Sequence, residues 1–374
     1  MYKKKENSQL EEVSLPGTRL GGEDAACAPE GSPPLATDYS PLFGKTLLLD
    51  GDIMAWRAAA VAEKVRYLVL SEHYTVECDS AKEAKKLAKE DMGEIWTRKD
   101  DKGEAFAEEC LTTAVNSLLA KTKSGDNYVI YLTSPGRTFR HNVAVTKPYK
   151  GNREYLERPK HLKFTRDLLV ERYQARFSRQ GLEADDSLGI HATRLGEGCF
   201  IASIDKDLDQ IPGWHFNWVT DRVYRVSRKD GDFKFYTQSL TGDSTDNVPG
   251  IDGIGPQTAA KILQGAKDSA ELFQRVWDVY RSRVEGSDSH VWEYMREQGD
   301  LLYILRESYN PGELEKWWPR DPTKITTLKL TETPLGKPED NTGEWYFNQL
   351  RSLRSKAEKV PPSSTNQTEV QQEP

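Results

Sequence analysis

The chain has no clustered cysteine, no long apolar run and no surplus of positive charge. Its four cysteines, Cys27, Cys78, Cys110 and Cys199, are scattered without a Cys-x-x-Cys spacing. That excludes a cysteine-rich zinc site and a disulfide framework, and suits a reducing cytoplasm. No stretch approaches the roughly 20 apolar residues that a membrane-spanning helix needs, so no membrane partner is expected. The lysine-rich start, residues 1–6, lacks the apolar run of a secretory signal. The formal net charge is −7, which argues against a uniformly basic nucleic-acid-binding protein. Binding to phosphates follows local charge, however, so a local basic surface stays open. No internal repeat is visible.

What is present, in 374 residues of which 37% are hydrophobic and 30% charged, is a soluble globular composition. Residues 1–42 are rich in Gly, Pro, Ser and Glu, lack periodicity and read as a disordered tail; the polar residues 359–374 read the same way. Three short apolar runs, 46–49 (TLLL), 128–132 (YVIYL) and 200–204 (FIASI), suit central strands covered on both faces. Ala184, Leu188, Ala192 and Leu195 keep helical spacing ahead of the third. The runs 223–226 and 233–236 flank Asp230-Gly231, a hairpin signal. After residue 239 the pattern is helical to about residue 307. Residues 72–123 read as charged and mostly helical, with no assigned role. The expected fold class is α/β, with a largely parallel central sheet flanked by helices and a helical C-terminal region. The expected divisions are a catalytic domain at 43–240 holding a basic arch at 137–165, a helical region at 241–310 and an extension at 311–358.

Acidic residues recur where elements meet. Asp50 and Asp52 follow the first strand (LLLDGD), and Asp205, Asp207 and Asp209 follow the third (IDKDLD). Ligands of open α/β sheets bind outside the carboxyl ends of strands. Glu183, Asp185 and Asp186 (GLEADD) open a helix, and Asp243 and Asp246 (GDSTDN) stand three apart. Each group alone has an ordinary reading as a cap, a dipole partner or an Asx turn. Four groups together are harder to explain so. Clustered carboxylates repel, and a divalent cation relieves that repulsion. Mg²⁺ prefers oxygen donors, and a pair of such ions can clamp both oxygens of a phosphodiester displacement.

Residues 134–176 carry eleven Lys/Arg against four Asp/Glu, with Phe139, Tyr149, Tyr155 and Phe164 among them. Cations interleaved with aromatics suit a strand-tracking loop or mobile arch, where a solvated charged helix is the plainer alternative. Arg137, Arg140 and Lys147 are its candidate DNA contacts. In residues 247–263 (NVPGIDGIGPQTAAKIL), Gly250, Gly253 and Gly255 punctuate a tight turn before Pro256 at a helix start. Unpaired amides there suit a phosphate, with Thr258 and Lys261 beside them.

Together LLLDGD, TFR with YKGNR, GLEADD, IDKDLDQIPG and GDSTDNVPGIDGIGPQTAAKIL resemble the 5′-nuclease family: flap endonucleases, 5′-nuclease domains of bacterial DNA polymerases and phage exonucleases. The wording IDKDLDQIPG and the length look nearest to stand-alone exonucleases of short-tailed lytic phages. The resemblance implies a PIN-like 5′-nuclease fold and two-metal 5′→3′ cleavage at DNA ends, 5′ flaps and RNA–DNA hybrids. It implies divalent ions (Mg²⁺, with Mn²⁺ as substitute) held by Asp50, Glu183, Asp185, Asp186, Asp205, Asp207, Asp243 and Asp246. It places Tyr149, Lys150 and Arg153 in or at the base of the arch, and a helix–hairpin–helix with K⁺ at the glycine turn. It implies a setting in replication, primer removal or host-DNA breakdown, alongside replication proteins, in the host cytoplasm if phage-encoded. One departure stands out: many relatives have an Asp after the second strand, where this chain has Thr133, Ser134 and Pro135. Asp52 is the candidate to compensate.

Two other readings compete. A haloacid-dehalogenase-like phosphatase would use Asp50 as nucleophile and Asp52 as acid, yet leaves Glu183–Asp186 and the glycine turn without a role. A non-catalytic DNA-binding descendant should have lost carboxylates, and this chain keeps eight.

Overall fold

Leu47, Leu48 and Leu49 are all fully buried, and a run buried on both faces belongs in the middle of a helix-covered sheet. The computed structural model describes residues 3–5, 37–153, 157–308, 310 and 312–318. Its elements in chain order are β1 (Lys3–Lys5), β2 (Thr46–Asp50), α1 (Gly51–Val61), β3 (Glu63–Leu70), β4 (Thr75–Cys78), α2 (Ala81–Glu90) and β5 (Glu94–Asp101). Then come α3 (Glu104–Thr122), β6 (Tyr128–Leu132), α4 (Arg140–Val143), α5 (Leu162–Tyr173), β7 (Arg176–Phe177), α6 (Ala184–Leu195) and β8 (Cys199–Ala202). The last are β9 (Gly213–Asn217), β10 (Arg222–Val226), α7 (Arg228–Thr241), α8 (Pro256–Leu263), α9 (Ser269–Arg283) and α10 (Asp288–Leu302).

The main sheet has the order β10-β9-β8-β2-β6-β7. It is parallel except for the β9–β10 pair. β2 lies between β6 and β8, with Leu47 opposite Tyr128 on one side and Phe200 on the other. Alternation along β2 sends Leu47 and Leu49 into a core shared with α1, α3 and α5, and Leu48 into a second core with Leu188 and Ala192 of α6. Each buried leucine contributes roughly 1.5–3 kcal/mol. The chain leaves β2 for β6 on one flank and returns to β8 on the other, so the end of β2 is a topological switch point.

The α/β expectation with a largely parallel sheet is met, and the run 128–132 is a strand over those same residues. Two expectations need correction and one needs an addition. The run 233–236 is not a hairpin arm but part of α7, capped by Ser227 and Asp230 in a reciprocal capping box. Gly231 allows α7 to sit against the backbone of Gln210, where an added Cβ would stand 2.3 Å from its carbonyl oxygen. β10 instead pairs with β9. Residues 72–123 are mostly helical as expected, in α2 and α3, but the span also holds β4 and β5, which join β1 and β3 in an antiparallel sheet ordered β1-β5-β3-β4, with α2 packed on Tyr67, Val69 and Ile95. Finally, the presumed tail 1–42 contributes β1 and a 3₁₀ turn at Ser40–Leu42 with Leu42 buried. Residues 1–2, 6–36 and 319–374 lie outside the described residues.

The helices α7–α10 enclose a separate aromatic-rich core, including Phe235, Tyr236, Trp277, Tyr280, Trp292 and Trp317. Among the described residues no helix is long and apolar enough to cross a membrane. One buried cation ties the segment before it to both halves. Arg140 gives two hydrogen bonds to Asp186, at 2.7 and 2.8 Å, and reaches the carbonyls of Leu301 at 3.0 Å and Tyr303 at 2.8 Å. Arg140→Ala leaves Asp186 buried without its partner and should cost about 3–5 kcal/mol. Urea denaturation should show this. The Arg140→Ala/Asp186→Ala double variant should lose less than the sum of the singles; an additive result would mean the pair does not act as a unit.

Candidate active site

The acids divide according to whether a cation answers them. Asp50 ends β2 and caps α1: its carboxylate accepts from Ile53 N at 3.2 Å and Ser203 Oγ at 2.9 Å. Asp185 lies in the first turn of α6, and Asp205 caps the 3₁₀ turn Lys206–Gln210, accepting from Asp207 N at 2.8 Å. Among the described residues none of these three forms an ion pair. Burial, then the neighbouring Asp52 charge, raises Asp50 to about 6. Burial, then the charges of Asp50, Asp205 and Glu183, pushes Asp185 well above the usual carboxylate range. Asp205 is raised too, by burial and then by Asp207 and Asp50. These acids therefore sense one another across the crevice at the end of β2.

The other acids are matched. Glu183 caps α6 and accepts from Lys150 Nζ at 2.7 Å, Tyr149 Oη at 3.0 Å and Arg140 at 3.3 Å. Burial pushes its pKa up, but Lys150 and Arg140 outweigh that and hold it at about 2. Asp246 takes Arg153 at 2.6 Å and Tyr149 Oη at 2.8 Å. Its two aspartate neighbours in the same reading are less engaged with the crevice. Asp207 accepts from Gln238 at 2.7 Å and stands 3.4 Å from Lys234. Asp243 closes its own turn by accepting from Thr245 N at 2.7 Å, the Asx-turn reading.

Asp186, also a candidate ligand, is fully buried, held by Arg140, and accepts from Glu183 N and Leu305 N. Arg140, a candidate DNA contact, has its guanidinium in the interior. Asp52 does not fill the place of the absent acid. It pairs with Arg166 and accepts from Thr133 N at 2.9 Å. Thr133 Oγ in turn accepts from Ala184 N, and Ser134 Oγ donates to the Ser178 carbonyl. Among the described residues no three His, Cys, Asp or Glu side chains stand together closely enough to hold one metal ion. The donor chemistry still fits a hard cation: Asp50, Asp185 and Asp205 offer only oxygen and carry unanswered charge.

Lys150 and Arg153 stand at the crevice on a shaped backbone. Lys150 adopts φ 55° and Asn247 φ 62°, left-handed conformations that side-chain-bearing residues seldom hold. Lys150 N donates to Asp246 O at 3.0 Å, and Asn247 Nδ2 to Pro148 O at 2.9 Å, so the two turns brace each other. Arg137 and Lys147 are exposed. At the glycine turn, Gly253 has φ 75°, and a Cβ added at Gly253 or Gly255 would meet nothing within 4 Å. Thr258 and Lys261 are exposed beside them on α8. Sequence reasoning missed Ser203 and Arg166. Ser203 sits two residues before Asp205 in the same apolar run, but a lone hydroxyl carries little signal.

No protein-family model matches the chain. Curated proteins do. DNA polymerase I of Bacillus subtilis (strain 168) is 30% identical over 173 residues, covering 40% of this chain and 19% of the polymerase. A protein named 5′-3′ exonuclease from Aquifex aeolicus (strain VF5) is 28% identical over 192 residues, 48% of this chain and 60% of that one. The chain is similar in sequence to 5′-3′ exonucleases and to DNA polymerase I. In each case the match spans less than two thirds of the relative. Solved structures also align. The T5 D15 protein co-crystallised with metal ions gives TM-score 0.43 at 16% identity, covering 69% of this chain and 88% of that one. Flap endonuclease-1 of Methanococcus jannaschii gives 0.41 at 14% identity, covering 74% and 83%.

The unanswered acids set a pH signature. Asp50 rises from 3.8 to about 6 in the folded chain, so its contribution to stability is complete below pH 4 and is lost as pH climbs towards 6. A shift of about two units corresponds to about 3 kcal/mol. In EDTA, the urea midpoint should carry this falling component between about pH 4 and 6, and Asp50→Asn should remove it. Identical pH profiles for the two proteins would show that Asp50 titrates normally.

Proposed function

We propose that this chain is a metal-dependent 5′→3′ nuclease that hydrolyses phosphodiester bonds at DNA ends and 5′ flaps, and in RNA paired to DNA. The observation that carries the reading is the set of Asp50, Asp185 and Asp205: three acids at strand and helix ends, mutually repelling and without a cation, beside Lys150 and Arg153. The sequence similarity to proteins named 5′-3′ exonuclease supports it.

Asp50, Asp185 and Asp205 would hold the divalent ions, with Glu183, Asp207, Asp243 and Asp246 at the margin. Mg²⁺, or Mn²⁺ in its place, would supply a water of lowered pKa and neutralise charge on the leaving oxygen. The chain's own part is to place the phosphate. Lys150 and Arg153 now neutralise Glu183 and Asp246, and each can exchange part of that pairing for a phosphate oxygen. Burial and Tyr149 keep Glu183 fixed while Lys150 turns. Arg137 and Lys147 would track the strand. The exposed start of α8, with Gly253, Gly255, Thr258 and Lys261, would grip the duplex backbone through amides and a cation. A K⁺ at that turn and contacts with replication proteins belong to the same proposal. Against the phosphatase reading stands Asp52, whose carboxylate is committed to Arg166 and Thr133 N and is not free to act as the acid.

Digestion of a 5′-labelled duplex and a 5′-flap duplex tests this directly. Short 5′ products should appear with Mg²⁺, vanish with EDTA, and vanish with Asp185→Ala. Lys150→Ala should slow cleavage about 100-fold or more, as loss of one charge-stabilising donor does, while duplex affinity changes little. Retained DNA binding with no cleavage under any divalent ion would favour the non-catalytic descendant.

A further inference from the structure

The small antiparallel sheet has no place in the reading so far, yet it touches one foot of the basic segment. β5 ends at Asp101, and Asp101 Oδ1 stands 2.6 Å from His161 Nε2. Its other oxygen pairs with Lys160 Nζ. Glu63, the first residue of β3, accepts from the Lys160 backbone N at 2.9 Å. Lys99 stands 3.2 Å from Glu157. The Asp101 carboxylate is itself fixed by Gly103 N, which donates to it at 2.8 Å. His161 is buried and occupies the cap position of α5. Three residues of two strands, Glu63, Lys99 and Asp101, thus hold the chain where it enters α5.

From that point a short path leads to the crevice. Thr165 Oγ donates to the Ala55 carbonyl of α1 at 3.0 Å. Arg166 pairs with Asp52 in the first turn of α1 and donates to the Thr133 carbonyl at the end of β6. His161 to Arg166 is five residues, about 7.5 Å of helix. The other foot of the segment is held independently, by Lys150 and Arg153 on Glu183 and Asp246. The described residues 150–153 and 157–161 are thus each tied to the fold, by different partners.

We infer that the inserted sheet, residues 63–101, is a positioning element for cleavage, in which Asp101, acting through His161 and Lys160, fixes the second foot of the basic segment and the register of α5 against Asp52 and Thr133. Asp101 is a positioning residue: it does not reach the crevice, and its effect passes through α5. The inference rests on the cleavage reading above. It assigns the sheet a role beyond surface charge, because Asp101 reaches past the exposed Lys160 to the buried ring of His161 at the start of α5.

The test is Asp101→Asn beside Asp101→Glu and Glu63→Gln in the full chain. For Asp101→Asn, kcat on a 5′-flap duplex should fall about tenfold, as misplacement of cations by a fraction of an ångström costs catalysis. KM and duplex affinity, set by α8 and the glycine turn, should stay within about twofold. Asp101→Glu should recover most of kcat. Glu63→Gln, which keeps an acceptor for the Lys160 amide, should be nearly silent. Independently of any cleavage, amide hydrogen exchange at residues 162–166 should quicken in Asp101→Asn while residues 47–49 stay protected. Unchanged exchange there overturns the inference, as does an equal loss in the rescue variant. A wild-type chain that cuts neither substrate overturns the nuclease reading instead, and the exchange result still decides the anchoring. Should Asp101→Asn fail to fold, His161→Asn carries the same measurement, with the same exchange outcome decisive.

Discussion

Charge held out of water must be answered, and this structure is arranged around where it is and where it is not. Moving a carboxylate into a low-dielectric crevice is costly unless a cation or several donors face it. Glu183, Asp186 and Asp246 have such partners in Lys150, Arg140 and Arg153. Asp50, Asp185 and Asp205 do not, and their pKa values rise accordingly. The fold supplies the stiffness that keeps three repelling acids close. Asp50 is locked at the end of the buried central strand β2, Asp185 by a capped helix and Asp205 by a turn it caps itself.

The same logic reinterprets the basic segment. Counted along the sequence it is strongly positive, and that count suggested a surface. In space several of its cations point inward. Arg140 is wholly interior, Lys150 and Arg153 neutralise acids of the crevice, and Arg166 neutralises Asp52. What remains outward includes Arg137 and Lys147. A local excess of cations can thus serve two ends: balancing buried acids, and holding a polyanion with those left over. The sequence total of −7 is then no obstacle to nucleic-acid binding, because part of the acidic charge is internal to the site.

How far this was legible beforehand differs by element. The run 128–132 matched β6 to the residue because five consecutive apolar, β-favouring side chains admit little else. The run 233–236 misled because a short apolar stretch fits strand or helix equally, and the Ser-x-x-Asp cap at 227–230 is the deciding cue. Residues 72–123 read correctly as mostly helical, but β5 within them went unseen because its many charges dilute the alternation. Among site residues, position along the chain identified Asp50, Asp185 and Asp205 as acids at element ends. It gave no means to separate them from Asp186, since burial against Arg140 is a property of tertiary packing alone. The shortage after β6 was visible as Thr133-Ser134, but that Asp52 turns towards Arg166 was not.

The placement of the small sheet follows from connectivity. β2 and β6 are parallel neighbours, so a crossover must join them, and one helix of about a dozen residues would suffice. Here α1 and α3 both pack on the same sheet face, and β3, β4, α2 and β5 intervene between them. The fold pays nothing in core burial for this, because the insert has its own core around Tyr67, Val69 and Ile95. What an insert between α1 and α3 does gain is proximity to α5, since α1 packs against α5 and α3 alike. Glu63 stands two positions after the last residue of α1, and Asp101 three positions before the first residue of α3. The two acids that hold residues 160 and 161 are therefore those at the insert's own entry and exit. Any sheet grafted at this point would bring its ends to the same place, but only ends bearing carboxylates would bind a lysine and a histidine there.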